Sequence, residues 1–183
     1  MSQYYFLVSS LPYLLPESEV ELTFESFLND SKTHLGEGEF NVLQACRLNP
    51  NPEKLGLHPV LDRWISWEAS LRNEMVQLRA SNLQIESEKW VRDISGPAGL
   101  FDIAREAVQQ DNPLEAEKAI NKARWQFLDE LGVGHFFDFK ALLVFALKLQ
   151  ILERQSLFTS ERGNAEYRKV YDQVVQQIQG ADV

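Results

Sequence analysis

The stretch "FDFKALLVFALKLQILER", residues 137–154, is the most apolar in the chain and constrains the fold more than any other. A membrane span needs about 20 consecutive apolar residues. Here the run reaches seven, Ala141 to Leu147, before Lys148 interrupts it, and Asp138, Lys140, Glu153 and Arg154 flank it. No membrane span is expected. At roughly 100° per residue, Phe139, Leu142, Phe145, Ala146, Leu149 and Leu152 share one helical face with the spacing of a core stripe. Val144, Leu147 and Ile151 make a second stripe on the opposite side, among Lys140, Lys148 and Gln155. Two readings follow. The expectation is a central helix covered on both sides by its own bundle; the alternative makes Val144, Leu147 and Ile151 a contact for another protein.

The rest of the chain repeats the helical period. The opening "YYFLVSSLPYLLPE" reads as a short helix or an extended lead-in broken at Pro12, because no second strand-like run exists to pair with it. Two short helices are predicted near Glu21 to Asp30 and Glu39 to Leu48, with the glycines of "HLGEGE" turning between them. "NPNPEKLGLHP" then forbids a continuous helix, and His58-Pro59 starts a long one reaching about Leu83. Leu61, Trp64, Leu71, Met75 and Leu78 give its stripe, with Glu68 intruding at one expected position. Beyond "SGPAG", a possible hinge near 95–99, four more patterns span Leu100–Gln110, Pro113–Leu131, Asp138–Phe158 and Glu161–Ile178. The last is amphipathic through Tyr167, Val170, Tyr171, Val174, Val175 and Ile178. The reading is all-α: a multi-helix bundle forming a single domain over 1–183.

Composition narrows the partners. At 183 residues, 44% hydrophobic and 25% charged, the chain can bury a sizeable core. A formal net charge of -9 and a pI near 4.9 oppose binding to nucleic-acid phosphates. Glu17, Glu19, Glu21, Glu25 and Asp30 all precede the first basic residue, Lys32. Such a run is a solvated face or a docking patch for a basic partner. A single cysteine, Cys46, leaves no internal disulfide to form and fits a cytoplasmic chain; its place in "EFNVLQACRL" makes it a small buried hydrophobe. The start lacks the basic region of a signal peptide, so secretion is not expected.

No catalytic motif stands out, and no catalytic residue, cofactor or metal is expected. "GEGEF" lacks the third glycine and preceding strand of a dinucleotide loop. His58 and Asp62 sit four apart, but catalytic metals want three ligands, so a helix-start histidine beside a surface aspartate is the reading. His135, three residues before Asp138, is read as capping a helix end. The more unusual constellation is "ASLRNEMVQLRASNL", where Arg72, Asn73, Glu74 and Arg79 surround the apolar stripe. Either they form a solvated flank, with Glu68 and Arg72 paired at i,i+4, or they lock this helix to its neighbours through a polar network.

"LRNEMVQLRASNL" resembles the helix signature of the C subunit (d in eukaryotes) of archaeal-type and vacuolar-type rotary ATPases. "YYFLVSSLP", "LRNE…LRA" and "EAEKAINKARWQFLDEL…HFFDFKALLVFALKLQILER" are more specifically similar to a family of short bacterial proteins encoded beside vacuolar-type ATPase subunits. The resemblance spans Tyr4 to about Gly163. It implies a bundle like one to one and a half lobes of the C subunit, and a non-enzymatic part that links the central stalk to the membrane proteolipid ring. By resemblance, its partners are the central-stalk subunits and that ring, its setting the cytoplasmic side of the inner membrane, and its role support of proton or sodium transport. A generic helical adaptor is the alternative, and a helical enzyme with an unrecognised site near His58, Asp62 or His135 the third reading.

Overall fold

The computed structural model describes residues 4–94 and 96–158; the helix predicted over Glu161–Ile178 lies outside them. The described residues form seven α-helices and one short 3-10 turn, with no strand. They are α1 (Tyr4–Ser10), α2 (Phe24–Ser31), α3 (Glu37–Ala45), the turn Pro52–Lys54, α4 (Pro59–Leu83), α5 (Phe101–Val108), α6 (Pro113–Gly132) and α7 (Phe139–Ser156).

The helices start where side chains can satisfy the first free N–H groups. Thr23 Oγ1 accepts from the Ser26 amide at 3.1 Å, which moves the start of α2 past the predicted Glu21. Asn112 Oδ1 accepts from the Leu114 amide at 3.0 Å, with Pro113 in the first helical position. His58 does the same for α4, its Nδ1 accepting from the Val60 amide at 3.2 Å ahead of Pro59. α4 ends at Gln84, whose left-handed backbone (φ 56°) returns its N–H to the carbonyls of Ala80 and Ser81.

α7 is the hub. It packs against α1, α2, α3, α4 and α6, and α5 bridges α4 to α6. A helix that is apolar all round must be covered all round. Leu142, Leu143, Ala146, Leu147, Leu149 and Ile151 are accordingly fully buried, and Val144 nearly so. The stripe of Val144, Leu147 and Ile151 is thus covered by this chain's own core and offers no surface to another protein. The first stripe is covered less evenly. Leu142 and Leu149 are buried as expected, but Phe139 and Phe145 are half-buried. They lie against Tyr4 of α1 and Phe27 of α2, at 6.2 and 5.2 Å between ring centroids, and these short helices cover them incompletely.

α4 meets α6 through an aromatic stack in which Trp67 lies 4.9 Å from Phe127 and 5.9 Å from Trp64, all nearly parallel. The irregular segment after α4 folds back onto it. Gly96, in the stretch read as a hinge, sits so close that a Cβ there would lie 2.0 Å from Ser70 Oγ and 2.4 Å from the Ser66 carbonyl oxygen. The second atom is helix backbone and cannot swing aside. Gly96→Ala should therefore destabilise the protein by about 1–3 kcal/mol, the usual cost of overpacking. Urea denaturation would read this as a lower midpoint, and Ser70→Ala should not restore it, since the backbone clash stays.

Candidate functional site

Of the four residues singled out on α4, the structure engages two. Arg72 is half-buried; its Nε and Nη2 donate to Glu68 Oε1 at 2.9 and 2.8 Å, and its Nη1 donates to Asn49 Oδ1 at 2.6 Å. Asn73 clamps the segment after α4 with two bonds. Its Nδ2 donates to the Arg92 carbonyl and its Oδ1 accepts from the Arg92 amide, both at 2.9 Å. Glu74 is half-buried and Arg79 exposed, and neither makes a hydrogen bond or ion pair among the described residues. The Glu68–Arg72 pair forms as read, and the reading in which all four lock α4 to its neighbours fails for Glu74 and Arg79, for a geometric reason. After Met75 only Ala80 of α4 is buried, so the last two turns lie at the margin of the bundle; Arg72 pairs with Glu68 within α4 and reaches Asn49 in a loop, and Asn73 holds the loop at Arg92.

The residue that organises this region is Glu68, fully buried on α4. Arg124 of α6 grips it with two parallel bonds, Nε to Oε2 at 3.0 Å and Nη2 to Oε1 at 2.7 Å. This fork geometry is the strong form of an ion pair. The remaining Arg124 nitrogen, Nη1, donates to Asn121 Oδ1 at 2.8 Å and to Glu117 at 3.4 Å. Glu117 also accepts from Arg154 Nε of α7 at 2.7 Å. The chain Asn49–Arg72–Glu68–Arg124–Glu117–Arg154 thus ties α4, α6, α7 and the loop before α4 together.

Burial by itself would raise the Glu68 pKa, but Arg124 and then Arg72 outweigh it and hold the carboxyl below its ordinary value. Burial likewise works against the Arg124 charge, and Glu68 with Glu117 more than offsets it, raising the Arg124 pKa. Both groups are charged at neutral pH. Arg124 carried no signal in the sequence, because its partner is 56 residues away and no helical period links them.

The other candidates serve local structure. Asp62 Oδ1 accepts from the Gly56 amide at 2.7 Å while His58 caps α4, so the pair is spent on the helix entry rather than turned toward a common ligand. Burial, then nearby Lys140, lower the His58 pKa against the opposing pull of Asp62. At the start of α7 the cap is Asp138, while the His135 amide donates to the Gly132 carbonyl at the end of α6 at 3.0 Å. Asp138 Oδ1 accepts from the Ala141 amide at 2.9 Å, and its Oδ2 lies 2.5 Å from His135 Nδ1. Burial pushes the Cys46 thiol up to about 12, and its Sγ lies 3.6 Å from the Leu143 carbonyl. It is a packed side chain, not a nucleophile. Among the described residues no three His, Cys, Asp or Glu side chains gather as a metal site would require.

Residues 98–178 match a family described as "Protein of unknown function (DUF2764)". The match covers α5, α6 and α7, and so contains Glu117, Arg124 and Arg154 but not Glu68 or Arg72. No curated protein and no solved structure matches the chain.

Among the large hydrophobics that the described residues expose is an aromatic group. Tyr5 of α1 packs on Phe6 at 5.8 Å and on Phe137 at 5.0 Å between ring centroids. Phe6 and the adjoining Phe136 remain 66% and 71% exposed. Aromatic side chains are enriched at the centres of protein interfaces relative to the rest of the surface. Glu17, Glu19, Glu21, Glu25 and Asp30 are also exposed, and none is in an ion pair among the described residues, although the charge of Glu17 acts on Lys118.

Proposed function

We propose that the protein is a non-catalytic subunit or accessory of a bacterial vacuolar-type rotary ATPase, held to its partners by contacts between proteins. The partner comes from the sequence resemblance, which implies a position between the central stalk and the proteolipid ring. The observation that carries an interaction role is the aromatic cluster of Tyr5, Phe6 and Phe137 beside exposed Phe136. No helix of the described residues is long and apolar enough to cross a membrane, so attachment to the ring would run through protein contacts. Aromatic anchors in a desolvated centre supply most of the energy of such contacts.

The test is co-purification of the tagged chain from native membranes. The wild type should bring down ATPase subunits, and the double variant Phe6→Ser/Phe136→Ser should lose them while keeping its thermal transition. Equal recovery by both chains would remove the aromatic end from the interface. A different protein retained by the wild type and lost from the variant would favour the second reading, a helical adaptor using the same surface elsewhere.

A further inference from the structure

Behind the Asn73 clamp, α4 and the following segment form an open hollow of about 340 Å³ whose lining includes Arg72, Arg79, Arg92 and Trp90, and no aspartate or glutamate. Three arginines around one hollow are unexpected in a chain with a net charge of -9. Arg72, Val76 and Arg79 share a face of α4 at i, i+4, i+7, and the two Asn73 bonds hold the Arg92 backbone nearby, so that Arg92 joins the same lining. Arg72 is offset by Glu68, which Arg124 also grips. The Arg79 and Arg92 guanidinium groups make no hydrogen bond or ion pair among the described residues.

We propose that this pocket binds a phosphate group, free or carried on a small ligand. Two uncommitted guanidinium groups match the charge of a phosphate near -2, whereas a single carboxylate would neutralise one of them. Their planar forks fit the spacing of its oxygens. Trp90, 68% exposed at the rim, offers a flat face to any ring attached to the phosphate. It also reports on the site, because Trp64, Trp67 and Trp125 are buried.

The experiment is a titration of the full chain with inorganic phosphate and with adenosine 5′-monophosphate, read by calorimetry and Trp90 emission. Sodium chloride at matched ionic strength is the control. Saturable binding is expected, weakened by about tenfold or more in Arg79→Gln and in Arg92→Gln, since a hydrogen bond to a charged group is worth that much. Both side chains are exposed, so the variants should fold normally. Tighter binding of the monophosphate identifies a carried phosphate; equal binding identifies the free ion. The proposal is overturned by no saturable signal, by the same response to chloride, or by unchanged binding in both variants. A glutamate-rich peptide that binds more tightly than either phosphate would also overturn it.

Discussion

Leu147→Glu should leave no cooperative thermal transition. Leu147 is fully buried on the face of α7 that looks least like a core in the sequence. The substitution loses the packing of a core leucine, about 2–5 kcal/mol when cut back to alanine. It adds a carboxyl with no partner, which must enter the core charged or take up a proton, at a cost of several kcal/mol more. Domains hold together by only about 5–15 kcal/mol in all, so the sum matches or exceeds what is available. Circular dichroism on heating is the check. A variant that melts like the wild type would mean that the stripe reaches solvent after all. Leu149→Ala, on the opposite stripe, should lower stability by about 2–5 kcal/mol yet leave a folded protein.

The second large effect belongs to the buried ion pair. Glu68→Gln should destabilise the protein by about 3–5 kcal/mol, because buried Arg124 loses its two-bond carboxylate partner and keeps only the longer contact to Glu117. Converting both partners, Glu68→Met with Arg124→Met, should recover much of that loss, since packed apolar side chains need no compensation. The pH dependence has a definite sign. The Glu68 pKa is lowered by folding, so its stabilising contribution is complete above the ordinary value of 4.5 and is lost as pH falls through the folded value. Stability measured between neutral pH and the acid range should therefore fall more steeply in the wild type than in Glu68→Gln. Parallel curves would mean that the carboxylate does not carry this part of the acid sensitivity.

The sequence made the frame of these arguments legible and hid their centre. Pro59–Leu83 could be read to the residue at its start, since Pro after a capping His is a local signal and the apolar spacing is regular. α7 was equally plain as a helix, but its two apolar stripes left two outcomes open, and only the neighbours decide which side faces protein. Glu68 was visible as a charge at a core position. Its meaning was not, because Arg124 arrives from another helix and nothing in local periodicity announces it. The segment after α4 was opaque for the opposite reason. It has no period at all, and its course depends on the Asn73 clamp and on the room left by Gly96. The aromatic end was likewise split between two places in the chain, Tyr5 and Phe137, which only the fold unites.

The hub position of α7 also sets a schedule. α1, α2 and α3 all pack against a helix that the ribosome makes last among the described ones. The bonds fastening the end of α3 show the delay. Leu48 and Cys46 wait for Gln150 across 102 and 104 residues, and the Cys46 thiol meets the Leu143 carbonyl across 97. Contacts so distant in sequence are slow to close. Until α7 emerges, α1, α2 and α3 lack the helix that each of them packs against. In that interval a nascent chain holds its largest sticky surface, and a holding chaperone its best opportunity.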